Sequence, residues 1–177
     1  MADNIVLVGF MGAGKSSTGR VLARRLGRCF VETDDLITAK ERRSIPEIFA
    51  AEGEGYFRAA EEEALGLLSL KSGEVIATGG GLPCQEGRPA VLRTLGTVIW
   101  LTADFSVLYE RALRGGERPM LAGRSREEVV ALYRSREPFY RQSDLVVDTG
   151  AIGVDQVASE VLRRIAARGH IGGQSRP

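Results

Sequence analysis

The stretch Ile5-Val6-Leu7-Val8-Gly9-Phe10-Met11-Gly12-Ala13-Gly14-Lys15-Ser16 carries an apolar run of strand length directly into the pattern G-x-x-x-x-G-K-S. Few patterns constrain a fold as tightly. The glycines let backbone N–H groups turn inward around phosphate oxygens, Lys15 reaches the β and γ phosphates, and Ser16 is placed to ligate Mg²⁺. Helical spacing follows over 16–26 and stops at Gly27, which sets a helix N-terminus and its partial positive charge beneath the same phosphates. Gly12, Ala13, Gly14, Lys15, Ser16 and Ser17 are therefore the first nucleotide-binding candidates.

Apolar runs of strand length recur at 5–8, 29–31, 75–77, 98–101 and 145–147, with helical patterns between most of them. Strands that read as continuous Val, Ile and Leu belong to a parallel sheet covered on both faces. The expectation is a three-layer α/β/α sandwich around a five-stranded parallel sheet, of the P-loop nucleotide hydrolase and kinase type. Ligands in such sheets gather at the C-terminal strand ends. There the sequence places the glycine loop, Glu32-Thr33-Asp34-Asp35, Thr78-Gly79-Gly80-Gly81, Asp104 and Asp148-Thr149.

A chain of 177 residues, 44% hydrophobic and 27% charged, fits one α/β domain over 1–177 and leaves no room for a second. Its net charge of +1 offers no field to recruit nucleic acid or an acidic membrane surface. No apolar run approaches the roughly 20 residues that a bilayer needs. Met1-Ala2-Asp3-Asn4 leads into a strand without the pattern of a secretory signal. A cytoplasmic protein is expected, monomeric and acting on small molecules. Cys29 and Cys84 lack metal-ligand spacing and read as reduced structural thiols. Lysine occurs only as Lys15, Lys40 and Lys71 in a chain that otherwise uses arginine, so Lys15 stands out where a phosphate loop wants a compact ammonium.

Two stretches read as insertions around the crevice. About 34–62 exceeds what one crossover helix requires; Ser44 and Glu47 have capping-box spacing with Pro46 in the first turn, and a second helix is expected from about Glu54 to Leu70. The other, about 112–124, contains Arg114-Gly115-Gly116-Glu117-Arg118-Pro119-Met120-Leu121-Ala122-Gly123-Arg124 and reads as a mobile lid. Ser125 with Glu128 repeats the capping box. The end, 169–177, is expected to fray, and His170 within it is given no role.

A phosphate loop needs a metal-orienting acid, often an Asp closing a distant hydrophobic strand. The run 75–77 ends instead in Thr78-Gly79-Gly80-Gly81. Glu32-Thr33-Asp34 is then the best source, and alternation along an extended segment sends Glu32 and Asp34 to the same side, one for Mg²⁺ and one for an acceptor hydroxyl. The plainer reading is an acidic run that caps the next helix, a role that suits Asp35. Gly79-Gly80-Gly81 at a strand end permits close backbone approach to a ligand, though a glycine triplet alone equally marks a simple turn. Arg58 with Glu61 and Glu62 has the i,i+3 and i,i+4 spacing of a solvated helix-surface pair. Arg136 before Glu137-Pro138 reads as a helix-end cation, and Phe49 and Phe57 as core aromatics.

Taken together, Gly9 through Ser16, Glu32-Thr33-Asp34, Ser44-Ile45-Pro46-Glu47-Ile48-Phe49, Phe57-Arg58 followed by Glu61, Thr78-Gly79-Gly80-Gly81, Arg118-Pro119-Met120-Leu121 and Arg136-Glu137-Pro138-Phe139-Tyr140 resemble the shikimate kinase family over nearly the whole chain. The resemblance implies a nucleoside-monophosphate-kinase-like fold. It also implies Mg²⁺-dependent transfer of the γ-phosphate of ATP to the 3-hydroxyl of shikimate, on the route to chorismate and aromatic amino acids. It further implies Lys15, Asp34 and Arg118 as catalytic residues, with Asp34 binding the acceptor hydroxyls and standing as the candidate base. Arg58 and Arg136 would clamp the acceptor carboxylate, Gly79, Gly80 and Gly81 would give backbone contacts, and Phe49 and Phe57 apolar walls. Arg118 would reach the phosphoryl group from the lid, Arg111 would lie along the adenine, and Mg²⁺ would be held by Ser16 and, through water, by Glu32.

The chain departs from the family pattern in three places. Glu32 stands where the family usually has Asp. The lid reads Pro119-Met120-Leu121 where Leu often follows the proline, a volume-conserving change. The segment 148–153 lacks an arginine that some relatives carry beside the base. The alternatives are a gluconate-type small-molecule kinase of related fold and a catalytically silent nucleotide-binding module; the presence of Lys15, Ser16, Asp34 and Arg118 argues against the second.

Overall fold

All five residues of the first strand, β1 (Asn4–Val8), are buried. Side chains alternate between the faces of a strand, so burial throughout means that both faces are covered. In the computed structural model, which describes residues 3–115 and 123–172 and side chains as far as 168, four further strands join β1. They are β2 (Phe30–Glu32), β3 (Val75–Ala77), β4 (Gly96–Thr102) and β5 (Leu145–Asp148), all parallel, in the order β2-β3-β1-β4-β5. The helices are α1 (Lys15–Leu26), α2 (Thr33–Glu41), α3 (Ile45–Ser69), α4 (Arg88–Leu95), α5 (Phe105–Arg114), α6 (Arg126–Tyr140) and α7 (Val154–Gly172). The expected three-layer α/β/α sandwich is the fold observed. Among the described residues no helix is long and apolar enough to cross a membrane.

The core is what the continuous apolar runs foretell. Val6, Leu7, Val75, Ile76, Ile99 and Leu101 are wholly buried and pack with Leu22, Leu92, Leu108, Ala158 and Val161 from the covering helices. A second, smaller cluster of Ile37, Ile48, Phe57 and Ala64 ties α2 to α3, outside the sheet. The segment expected as an insertion therefore has an apolar centre of its own. After β1 the chain crosses over β3 to reach β2, whereas after β3 it crosses β1 to reach β4. The C-terminal end of β1 is thus the switch point at which a parallel sheet opens a crevice.

Local chemistry fixes the helix ends. Gly27 closes α1 in the left-handed region (φ 63°), with its N–H on the carbonyls of Ala23 and Arg24. Both capping boxes form: Ser44 with Glu47 opens α3, and Ser125 with Glu128 opens α6. Gly53 (φ 81°, ψ −178°) breaks α3 into two rods, so the helix expected from Glu54 is the second rod. Two expectations need correction. Strand β2 lies one residue later than the run 29–31, and the chain turns helical at Thr33, so Asp34 sits in the first turn of α2 rather than on an extended segment beside Glu32. Asp35 shares that first turn without capping it: the N-cap is Glu32, with no side-chain capping bond. Helix α7 runs to Gly172, and the rest of the expected tail, 173–177, lies outside the described residues.

Candidate active site

The loop between β1 and α1 is shaped by glycines that no other residue can replace. Gly9 (φ 144°) and Gly12 (φ 80°) adopt backbone angles that side chains disfavour. A β-carbon at either would stand 2.3 Å from the Leu101 carbonyl oxygen or 2.2 Å from that of Leu108. Gly14 (φ 85°) is the N-cap of α1, so the N–H groups of the first turn are aimed into the loop. The Lys15 ammonium spans it, donating to the carbonyls of Gly9 (2.8 Å) and Phe10 (3.2 Å).

Beside this loop lies a cleft of about 420 Å³, lined by 12–18 on one side and by Arg111, Thr149, Ile152, Gly153, Val154 and Val157 on the other. Arg111 comes from α5 and is fixed by three bonds to the turn after β5: to Thr149 Oγ1 (3.0 Å) and to the carbonyls of Thr149 (2.8 Å) and Gly150 (3.3 Å). Its planar guanidinium lines the cleft together with the apolar Ile152 and Val154. That is the chemistry a purine ring requires. The segment 148–153, which lacks an arginine, contributes instead the carbonyls that hold Arg111.

A second group converges on the glycine triplet that follows β3. None of the three glycines has a positive φ, and of the three only Gly79 is demanded by space. A β-carbon at 79 would stand 2.4 Å from Asp34 Oδ1. One at 80 would stand 3.6 Å from Arg136 Nη1, and one at 81 would stand 3.3 Å from Arg136 Nη2 and 3.5 Å from Arg58 Nη1. One carboxylate and two guanidinium groups, drawn from α2, α3 and α6, therefore face one short backbone segment. The Gly79 N–H is taken by Thr33 Oγ1 (2.9 Å), which locks the start of α2 to the end of β3. Gly80 and Gly81 have no acceptor for their N–H groups among the described residues.

Burial raises the Asp34 carboxyl from its ordinary 3.8 to about 6; Lys15 opposes the shift, while Glu61, Glu32 and Asp35 add to it. Among the described residues none donates a hydrogen bond to Asp34. Arg58 is held on both sides, by Glu61 at 2.8 Å and by Glu54 at 2.8 Å. This corrects the solvated-pair reading twice. Glu61 is 1% exposed, and Glu62 leaves Arg58 altogether to pair with Arg88. Glu61 also accepts from Gln85 Nε2 (2.9 Å), so a buried carboxylate anchors the guanidinium from behind. Arg136 lies with Cζ 5.9 Å from the centre of the Phe10 ring, above the phosphate loop rather than at a helix end in solvent.

The two phenylalanines part company. Phe57 is buried in the second cluster, with Arg58 Cζ 5.8 Å from its ring centre, whereas Phe49 is 38% exposed and packs on it at 4.7 Å between centroids. Of the two, Phe49 is the ring left open to solvent, and Phe57 lies beneath it. Glu32 is engaged with Arg20 at 3.1 Å. Arg118 and most of the expected lid lie outside the described residues. Sequence reasoning missed Glu61, Gln85, Thr33 and Tyr140 as partners of the site. Of these Thr33, Glu61 and Tyr140 stand within the motifs that carry the family resemblance, and Glu61 also has three-residue spacing from Arg58.

Residues 11–166 match the family model of shikimate kinase. The chain belongs to the shikimate kinase family. A shikimate kinase of Symbiobacterium thermophilum is 43% identical over 96% of this chain and 99% of its own length. Among solved structures, shikimate kinase from Acinetobacter baumannii in complex with shikimate superposes with a TM-score of 0.87 at 35% identity, covering 95% of each chain. That of Aquifex aeolicus superposes with a TM-score of 0.84 at 36% identity, covering 94% of this chain and 98% of its own.

Proposed function

We propose that this chain transfers the γ-phosphoryl group of ATP to the 3-hydroxyl of shikimate, giving shikimate 3-phosphate and ADP, a step toward chorismate and the aromatic amino acids. The observation that carries the reading is the convergence of Asp34, Arg58 and Arg136 on Gly79, Gly80 and Gly81, next to a phosphate loop. Shikimate is a small, polar, singly charged triol. Its pocket needs guanidinium for the carboxylate, a carboxylate for vicinal hydroxyls and one apolar wall, and Arg58, Arg136, Asp34 and Phe49 supply these. A gluconate-type acceptor also carries a carboxylate, but family membership and the paired arginines favour the ring acid.

Phosphoryl transfer asks mainly for positioning and charge neutralisation. Residues 12–17 hold the phosphates, Lys15 neutralises the transferring group, and Arg111 with the 149–157 wall holds the adenine. Asp34 orients the acceptor hydroxyl, which is far too weak an acid to be ionised outright, and accepts its proton late in the transfer. The donor set near the loop is hard oxygen, the Ser16 hydroxyl and the Glu32 carboxylate, and it suits Mg²⁺ shared with phosphate oxygens and water. Glu32, paired with Arg20, would reach such a metal through water. Bound Mg²⁺ would offset the charge developing between the β and γ phosphates. Residues 34–62 serve as the acceptor-binding insertion, and 112–124 as a lid that brings Arg118 onto the phosphoryl group. On this reading the enzyme works in the cytoplasm as a monomer on small molecules, without nucleic acid or membrane.

Coupled ADP release with shikimate, gluconate, quinate or no acceptor tests the proposal. Turnover with shikimate well above the acceptor-free rate is expected; a rate equal to background ATPase would sink it.

A further inference from the structure

Between Gly80 and Gly81 runs the one peptide plane of the triplet that the loop's own backbone does not pin. The Gly79 carbonyl accepts from the Leu82 N–H (3.2 Å) and the Gly81 carbonyl from the Cys84 N–H (3.0 Å), so the neighbouring planes are fixed by tight turns. The Gly80 carbonyl instead accepts from the Tyr140 hydroxyl at 2.6 Å, with the Cys84 thiol as a weaker donor at 3.5 Å. Two flanking glycines make this plane the cheapest in the region to flip.

We infer that Tyr140 is a positioning residue for the acceptor: its hydroxyl holds the Gly80–Gly81 peptide with the carbonyl toward the core and the Gly81 N–H toward the acceptor. The described peptides include no cis bond, and in a trans peptide the C=O and the following N–H point in opposite directions. Anchoring the oxygen at Tyr140 therefore turns the Gly81 N–H away from the core, on a residue whose neighbours are the Arg58 and Arg136 guanidinium groups. Arg136 and Tyr140 lie four residues apart on α6 and so share one face of that helix. A single helix thereby sets both a guanidinium and, through Gly80, a backbone donor.

Tyr140 is suited to the task. It is wholly buried, its ring lies 6.1 Å from that of Trp100 at 30°, and burial pushes its hydroxyl well above the ordinary value, so that it remains a donor.

The inference rests on the acceptor site proposed above. Tyr140→Phe keeps the ring and removes the hydroxyl. The expected result is a shikimate KM raised about tenfold, with kcat and the KM for ATP within about twofold of the parent. A hydrogen bond that served stability alone would lower Tm and leave the shikimate KM where it was; that outcome overturns the inference. Should the variant not fold, ¹⁵N–¹H spectra of the unmodified protein decide. The Gly81 amide proton is expected to move downfield on saturation with shikimate, and an unmoved Gly81 signal rules the inference out. Failure of the proposed function is distinct, because the unmodified protein would then show no shikimate-dependent ADP release at all.

Discussion

The Asp34 carboxylate and the α-carbon of Gly79 occupy adjoining space so closely that a β-carbon at 79 would stand 2.4 Å from Oδ1 and 3.1 Å from Oδ2. The acid is thus placed by what Gly79 lacks, with Thr33 holding the Gly79 N–H so that neither segment can withdraw.

Gly79→Ala is therefore expected to displace Asp34 without disturbing the donor cleft. A shift of about 1 Å in a reacting group costs on the order of a hundredfold. Steady-state kinetics should show kcat/KM for shikimate down by about that factor and the KM for ATP within about twofold.

Asp34→Asn should abolish shikimate-dependent turnover, by at least about a thousandfold, while ATP binding measured by calorimetry stays within about threefold. The same variant should be more stable than its parent. The native fold raises the Asp34 pKa from 3.8 to about 6, so it binds the proton more tightly than the unfolded chain does. Ionising the group then costs the fold progressively as pH rises from about 4 through 6, by at most about 3 kcal/mol. Thermal unfolding at pH 8 should place the variant at least about 3 °C higher, with the gap closing toward pH 4.

If the ionised Asp34 is the working form, kcat/KM for shikimate should climb with pH through about 6 and then level. A profile flat from pH 5 to 8 would remove Asp34 from proton transfer.

Arg136→Lys keeps the charge and loses the fork. The shikimate KM should rise about tenfold, because a lysine cannot meet a carboxylate with two parallel bonds. By contrast, Arg111→Ala removes the guanidinium that Thr149 and Gly150 hold. Its effect should fall on the KM for ATP, again about tenfold, and leave the shikimate KM within about twofold.

Much of this was legible in the sequence because it is local. A strand that must be apolar on both faces reads as Ile5-Val6-Leu7-Val8, a capping box reads as Ser44 and Glu47, and the loop glycines read as a pattern. Contacts made across long separations left little trace. Glu61 looked like a surface partner of Arg58 because helical spacing cannot say which face is buried, and only the packing of α3 against α2 and α4 decides it. Tyr140 reaches Gly80 across 60 residues, and no local pattern encodes such a bond. The expected alternation of Glu32 and Asp34 failed for a different reason: it presumed a strand through Thr33, where the chain had already begun its helix.

The sheet order has a consequence for how such an enzyme can diversify. With β1 between β3 and β4, the donor cleft draws on 12–18, Arg111 and 149–157, while the acceptor group draws on Asp34, Arg58, Glu61, 79–85, Arg136 and Tyr140. The two sets have no residue in common. On the function proposed above, a lineage, or an engineer, would rewrite which alcohol is phosphorylated by changing the second set and leaving the first in place.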